Sequence, residues 1–202
     1  MSKITQNTII ETFSSYKDLC NLYLIIDAAQ QPEKITDFIR QKYGKTNLIF
    51  HSLFAGTQEG NVPFRASPIY IKLDTDNMYE NSPICLLFEE LCQTESMINI
   101  IGSTQDEAIF VKHLKNYLSI CDENGTPYLF RWYDPRIGKY MHQVLTEEQW
   151  LEFTAPMEVW WISMVQYDFE SQIIMHNNYR KQYENHRSEE RRVGKECASM
   201  CR

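Results

Sequence analysis

Apolar positions along the chain fall into two alternating patterns. Leu22–Asp27 (LYLIID), Asn47–Leu53 (NLIFHSL), Ile69–Asp74 (IYIKLD) and Met97–Ile101 (MINII) are compact runs rich in branched and aromatic residues, which predicts buried strands. Val159–Val165 reads as a last strand. Between these runs the spacing turns helical. Asn7–Tyr16 predicts a short opening helix, and Pro32 to Tyr43 a second one with Ile35, Phe38 and Ile39 on one face and Gly44 as its stop. Asn81–Cys92 reads as helix with Pro83 near its start. Ser103 and Asp106 resemble a capping box that opens a helix carrying Phe110, Val111, Leu114, Tyr117 and Leu118 on its core face. Asn124-Gly125 between two apolar runs predicts a hairpin of Ser119–Cys121 with Pro127–Tyr133. Thr146 with Gln149 predicts another capped helix, ending before Pro156, and Asp168–His186 reads as a polar surface helix. The stretch AGTQEGNVPFRASP is a Gly-, Pro- and Ser-containing loop. No internal repeat or domain linker stands out. The expectation is a mixed α/β (α+β) fold: one compact domain, with room for two lobes, built on a mixed sheet flanked by helices.

The pattern changes abruptly at Arg187. Arg187–Cys197 reads RSEERRVGKEC, which back-translates into a common short-read sequencing adapter, and ASMCR fits the start of the next adapter block. Arg187–Arg202 is therefore expected to be a translated assembly artefact, leaving residues 1–186 as the domain; ordinary coding sequence in the source nucleotide record would refute this. The chain of 202 residues has a formal charge of -7, and removing the tail's five basic and three acidic residues takes it to -9. Such a balance, without a long basic run, is unsuited to tracking a phosphate backbone, so no nucleic-acid partner is expected. No apolar stretch approaches the roughly 20 residues of a membrane span, and MSKITQNTIIETF lacks the basic start and apolar run of a signal peptide. The expectation is a soluble, cytoplasmic protein without a membrane partner. Without the tail, Cys20, Cys85, Cys92 and Cys121 remain; they form no CxxC pair and are expected to be buried free thiols.

Candidate chemistry is sparse. There is no nucleophile elbow, P-loop, dinucleotide fingerprint or HExxH, and the histidines show no metal-ligand spacing. Asp27 ends a predicted buried strand, where α/β enzymes often place an acid. Asp74 and Asp76 could offer hard oxygen ligands to a divalent cation, which together with Asp27 would make a metal-dependent transferase or hydrolase. The plainer reading is favoured: Asp27 capping or ion-paired, Asp74 and Asp76 forming a turn in DTDN. The most specific stretch is LFRWYDPRIG at Leu129–Gly138. It sets Arg131 and Arg136 around Asp134, with Trp132 and Tyr133 alternating along a strand, and Pro135 opening a helix that Asp134 caps. Arginine pairs bidentately with carboxylates and stacks on aromatic rings, so the cluster could clamp a strand-to-helix corner. The same residue types dominate interface hot spots, so it could equally be a recognition surface. Both roles stay open on these residues.

FRWYDPR, preceded by a Gly-turn hairpin and followed by TEEQWLEFTAP and MEVWW, resembles the hallmark of the type VI secretion effector chaperones, the Tap or TEC adaptor family. LYLIIDAAQQPE, SLFAGT…SPIYIKLD and INIIGSTQDEAIFVKHLKNYL resemble further family segments in the same order, so the resemblance spans about residues 22–161. It implies a bacterial, cytoplasmic adaptor, not an enzyme and with no cofactor. Its partners would be a toxin effector protein and the VgrG spike protein of the secretion machine, onto which it loads the toxin. By position, Arg131, Trp132, Tyr133, Asp134, Pro135 and Arg136 are the family motif and Asp27 its early acid. The loop at Ala55–Ser67 and the segment after Trp161 follow no family pattern and are the expected sites of cargo selectivity. An immunity protein that neutralises a toxin is the remaining alternative.

Overall fold

LYLIID is apolar at consecutive positions because its strand has no solvent face. Leu22, Leu24 and Ile26 enter one apolar cluster while Tyr23 and Ile25 enter another, so β1 (Asn21–Asp27) separates two cores. The computed structural model describes residues 5–42, 48–165 and 171–175. Its remaining strands are β2 (His51–Ser52), β3 (Pro68–Leu73), β4 (Ile98–Ser103), the hairpin strands β5 (Ser119–Cys121) and β6 (Pro127–Leu129), β7 (Val159–Val165) and β8 (Ser171–Met175). All but the hairpin join one six-stranded sheet in the order β2-β3-β1-β4-β7-β8.

Helices α1 (Gln6–Tyr16), α2 (Pro32–Lys42) and α3 (Pro83–Thr94) contribute Ile9, Phe13, Ile35, Ile84, Phe88 and Leu91 to the first core. The other face is covered by α4 (Glu107–Asn116), the short α5 (Pro135–Gly138) and α6 (Met141–Val144), and α7 (Glu147–Thr154). There Phe110, Leu114, Trp132, Met141, Trp150 and Phe153 join Tyr23 and Ile25 of β1 and Trp160 and Ile162 of β7 in one cluster. The mixed α+β class thus stands, as one domain of three layers.

Four expectations need correction. The sheet is antiparallel at every pairing rather than mixed. Strand β3, helix α3 and strand β4 form a crossover, with β1 lying between β3 and β4 and running against both. Ser103 does not cap a helix: it is the last residue of β4, opposite Asn21, and Asp106 is the cap, its Oδ1 accepting from Ala108 N at 2.9 Å. Within the run Asn47–Leu53 only His51 and Ser52 pair, with Tyr70 and Ile69. Within Asp168–His186 the structure has a strand, β8, where a helix was expected; it pairs with β7 in the register Ser163↔Ile173 and covers backbone groups that would otherwise form an open edge. The rest of that segment, Tyr43 and Gly44, and the adapter-like tail lie outside the described residues.

The predicted hairpin forms, and Gly125 takes the left-handed conformation at φ 79° that its turn requires. Asp122 tightens that turn by accepting from Asn124 N and Thr126 N at 2.9 and 2.8 Å. All six strand residues of the hairpin are exposed, so Cys121 is a surface thiol; Cys20, Cys85 and Cys92 are buried as expected. Among the described residues no helix is long and apolar enough to cross a membrane.

Candidate partner-binding site

After β6 the chain leaves the hairpin and dives to the sheet. Phe130 N donates to Leu118 O at 2.8 Å, and Asp134 N to Arg131 O at 3.0 Å, so residues 131–134 form a turn rather than a continuing strand. The expected alternation of Trp132 and Tyr133 therefore fails, and both side chains are buried. Trp132 meets Phe153 and Trp160 with ring centroids 5.6 and 6.4 Å apart, while Tyr133 packs edge-on against Phe54. The backbone of the turn is pinned by Asn99, a residue that sequence reasoning passed over. Its Nδ2 donates to Tyr133 O at 2.7 Å, and its Oδ1 accepts from Trp160 Nε1 at 3.0 Å. The available signal was one amide inside MINII, where every neighbour is apolar and a buried amide must find partners.

Asp134 and Pro135 behave as predicted. Asp134 Oδ1 accepts from Arg136 N at 3.0 Å, and Pro135 is the first residue of α5, where its missing N–H costs nothing. The short α5 passes close to β7. A Cβ on Gly138 would lie 3.0 Å from Trp132 O, 3.2 Å from the Trp160 ring and 3.3 Å from Ile162 Cδ1. Glycine at this position lets α5 lie on the aromatic core.

The charged groups are arranged around two buried carboxylates. Arg136 grips Asp134 with both prongs, Nε to Oδ1 at 2.9 Å and a terminal nitrogen to Oδ2 at 2.7 Å. Arg131 reaches Asp27 Oδ2 at 2.6 Å and Asp134 Oδ2 at 3.4 Å, linking the end of β1 to the motif across 104 positions of sequence. Gln30 Nε2 donates to the same Asp27 oxygen at 3.1 Å and to Ser96 O at 2.9 Å. Burial opposes the Arg131 charge, but the Asp27 carboxylate outweighs it and the net shift is upward; for Arg136 the bonds to Asp134 lead the upward shift. Burial, helped by Asp27, pushes the Tyr133 phenol up to about 12 and keeps it neutral. The carboxylate side chains are 1% and 3% exposed, whereas the Arg131 and Arg136 side chains are 37% and 55% exposed. Four of the six motif residues thus lie in the core, and only the two guanidiniums face outward.

Residues 22–152 match a family described as "Domain of unknown function (DUF4123)". The chain belongs to this family. The matched span holds both carboxylates and both arginines of the cluster and ends inside α7, before the β7 residues on which Trp132 packs. No curated protein and no solved structure matches the chain.

The second constellation considered, Asp27 with Asp74 and Asp76, is not assembled. Leu22 pairs with Leu73 and Asp27 with Pro68, so Asp74 lies at the opposite end of β1 from Asp27, about 20 Å away at the rise of a strand. Asp74 Oδ1 accepts from Asp76 N at 3.0 Å and Asn77 N at 3.1 Å, the turn expected for DTDN. Among the described residues no cluster of three His, Cys, Asp or Glu could hold a metal ion.

Proposed function

We propose that this chain is a cytosolic adaptor that binds a toxin effector of a type VI secretion system and loads it onto the VgrG spike protein, acting by binding rather than by catalysis. The family membership supports a protein partner. The observation that carries the reading is the division of the RWYDPR segment: a buried half that fixes the corner and two oriented guanidiniums left at the surface. Next along the chain, α5, α6 and the turn between them expose Ile137, Tyr140 and Val144, and the preceding hairpin exposes Ile120, Tyr128 and Leu129. Arginine next to tyrosine and aliphatic side chains is the composition of an interface hot spot, where a few anchors supply most of the affinity.

The test is co-expression of the chain with the toxin and VgrG reading frames encoded beside it, followed by affinity capture. The toxin is expected to co-purify and to be degraded when the chain is absent, with VgrG recovered in the same complex. Arg136→Gln should weaken capture while leaving the circular dichroism spectrum unchanged. Recovery of neither protein by a folded bait would overturn the proposal.

A further inference from the structure

A second surface lies where α2 meets the loop leading into β3. Thr36, Ile39 and Arg40 occupy one face of α2, and with Pro63, Phe64 and Arg65 of the loop they line an open depression of about 360 Å³. That volume is at the lower end of the range for ligand sites, suited to one or two side chains rather than a large cofactor. Ile39, Pro63 and Phe64 supply apolar lining, with Phe64 exposed, and Arg40 and Arg65 line it as well. Neither Arg40 nor Arg65 has an ion-pair partner among the described residues, and no carboxylate lines the pocket. On a chain with a formal charge of -7, this is a local site of the opposite sign.

The loop is exposed yet held in shape. Thr57 Oγ1 donates to Phe54 O and accepts from Glu59 N, Val62 N donates to Glu59 O, and Ser67 Oγ donates to Phe64 O at 2.8 Å. Buried Ser67 therefore anchors the turn that presents Phe64 and Arg65. A surface already ordered before binding loses less entropy on association.

We propose that this pocket docks an acidic segment of the partner protein, which inserts one aliphatic or aromatic side chain between Ile39 and Phe64 and places carboxylates on Arg40 and Arg65. The inference rests on the adaptor reading only for the partner being a protein. Two arginines beside an apolar lining select this chemistry: carboxylates can be held bidentately, and the inserted side chain excludes water from those contacts.

Fluorescence anisotropy with the full chain and labelled synthetic peptides tests it. One peptide carries Asp and Glu around a single Phe, a second has Lys in place of the acids, and a third has Ser in place of the Phe. The acidic Phe peptide is expected to bind, with a Kd that rises as salt is added and rises at least about tenfold in R40E/R65E. Phe64→Ser and the milder R40Q/R65Q should each weaken it several-fold. K17E/K112E, the same change of charge at lysines elsewhere on the surface, should not, which separates a docking site from net charge. Absence of binding, equal binding of the Lys peptide, or an R40E/R65E Kd equal to the wild type would overturn the proposal, as would displacement by inorganic phosphate or single-stranded DNA in preference to the peptide. If the toxin is captured equally by R40E/R65E and wild type, this pocket fails while the adaptor reading stands. If no toxin is captured but the acidic peptide binds as described, the adaptor reading fails alone.

Discussion

Replacing Arg131 by Met tests whether the motif holds the fold through charge. The substitution keeps a long apolar stem and removes the guanidinium from its two carboxylates. Asp134 is left well served, because Arg136 still grips it at 2.9 and 2.7 Å. Asp27 is not. Its Oδ2 keeps only Gln30 Nε2 at 3.1 Å, and its Oδ1 has no hydrogen-bond partner among the described residues. Taking one member from a buried ion pair typically costs about 3–5 kcal/mol, because the remaining charge stays desolvated. Here the Arg131 side chain is 37% exposed, so water can follow into the vacated space, and the expected loss is at the low end, about 3 kcal/mol. Asp27→Asn should cost less, about 1 kcal/mol, since the half-exposed Arg131 keeps water and Asp134.

The double variant decides the mechanism. With a neutral amide in place of the Asp27 carboxylate, no buried charge is stranded, so R131M/D27N should lose about 2 kcal/mol rather than the sum of the singles, a coupling of about 2 kcal/mol. Urea unfolding followed by tryptophan fluorescence reads this, provided the slope of the transition is unchanged between variants. A loss below about 0.5 kcal/mol for Arg131→Met, or additivity within about 0.5 kcal/mol, would refute the claim that this pair ties β1 to the motif.

Four further outcomes are expected. Gly138→Ala should destabilise by about 1–3 kcal/mol, because its Cβ would press on Trp132 O and the Trp160 ring; the same unfolding curve checks it. Asn99→Ala should lose about 2–4 kcal/mol by stranding Tyr133 O and Trp160 Nε1 inside the core, with a visible change in tryptophan emission. Arg136→Lys keeps the cation but loses the two-pronged grip on Asp134, so toxin capture should fall while the melting temperature moves little. Burial pushes Cys92 from 9.0 to about 12, and burial with Glu107 pushes Tyr70 from 10.0 to about 12. The unfolded chain thus releases these protons first. Stability should be intact below about pH 9 and fall between about pH 9 and 12, read by melting temperature against pH, with a shallower fall in Cys92→Ala.

What could be seen in the sequence was chemistry that acts over a few residues. Asp134 with Pro135, Thr146 with Gln149, and Gly125 in its turn all satisfy local backbone needs, and each sits where it was placed. Failures occurred where a distant strand decides. Ser103 has the right spacing for a cap, but pairing with Asn21 holds it in β4 and hands the role to Asp106. Residues 171–175 sit in the segment Asp168–His186, whose polar composition reads as a surface helix, yet they form the outermost strand on β7. Trp132 and Tyr133 alternate on paper, but the turn closed by Asp134 N buries both. The pairing of Asp27 with Arg131 was equally out of reach, since nothing local indicates which of the chain's 20 basic residues meets a given buried acid.

The two roles offered for the motif are linked through one carboxylate. Asp134 Oδ1 caps α5 and also receives Arg136 Nε, so the group that starts the helix is the group that aims the guanidinium. Of the five N–H donors of Arg136, Asp134 engages two through the bonds described, and the side chain that carries the other three is 55% exposed. Arg131, the other exposed cation, is fixed from behind by Asp27 and Asp134 in the same way. A partner that meets these arginines therefore meets donors whose positions are set by the core, and little side-chain entropy remains to be lost on docking. On the proposed adaptor reading, the buried tryptophan, tyrosine and aspartate act on a partner only through the two arginines they hold in place. On the same reading, the neighbouring loop and helix surfaces, free of that constraint, are where the preference for one partner over another can be written.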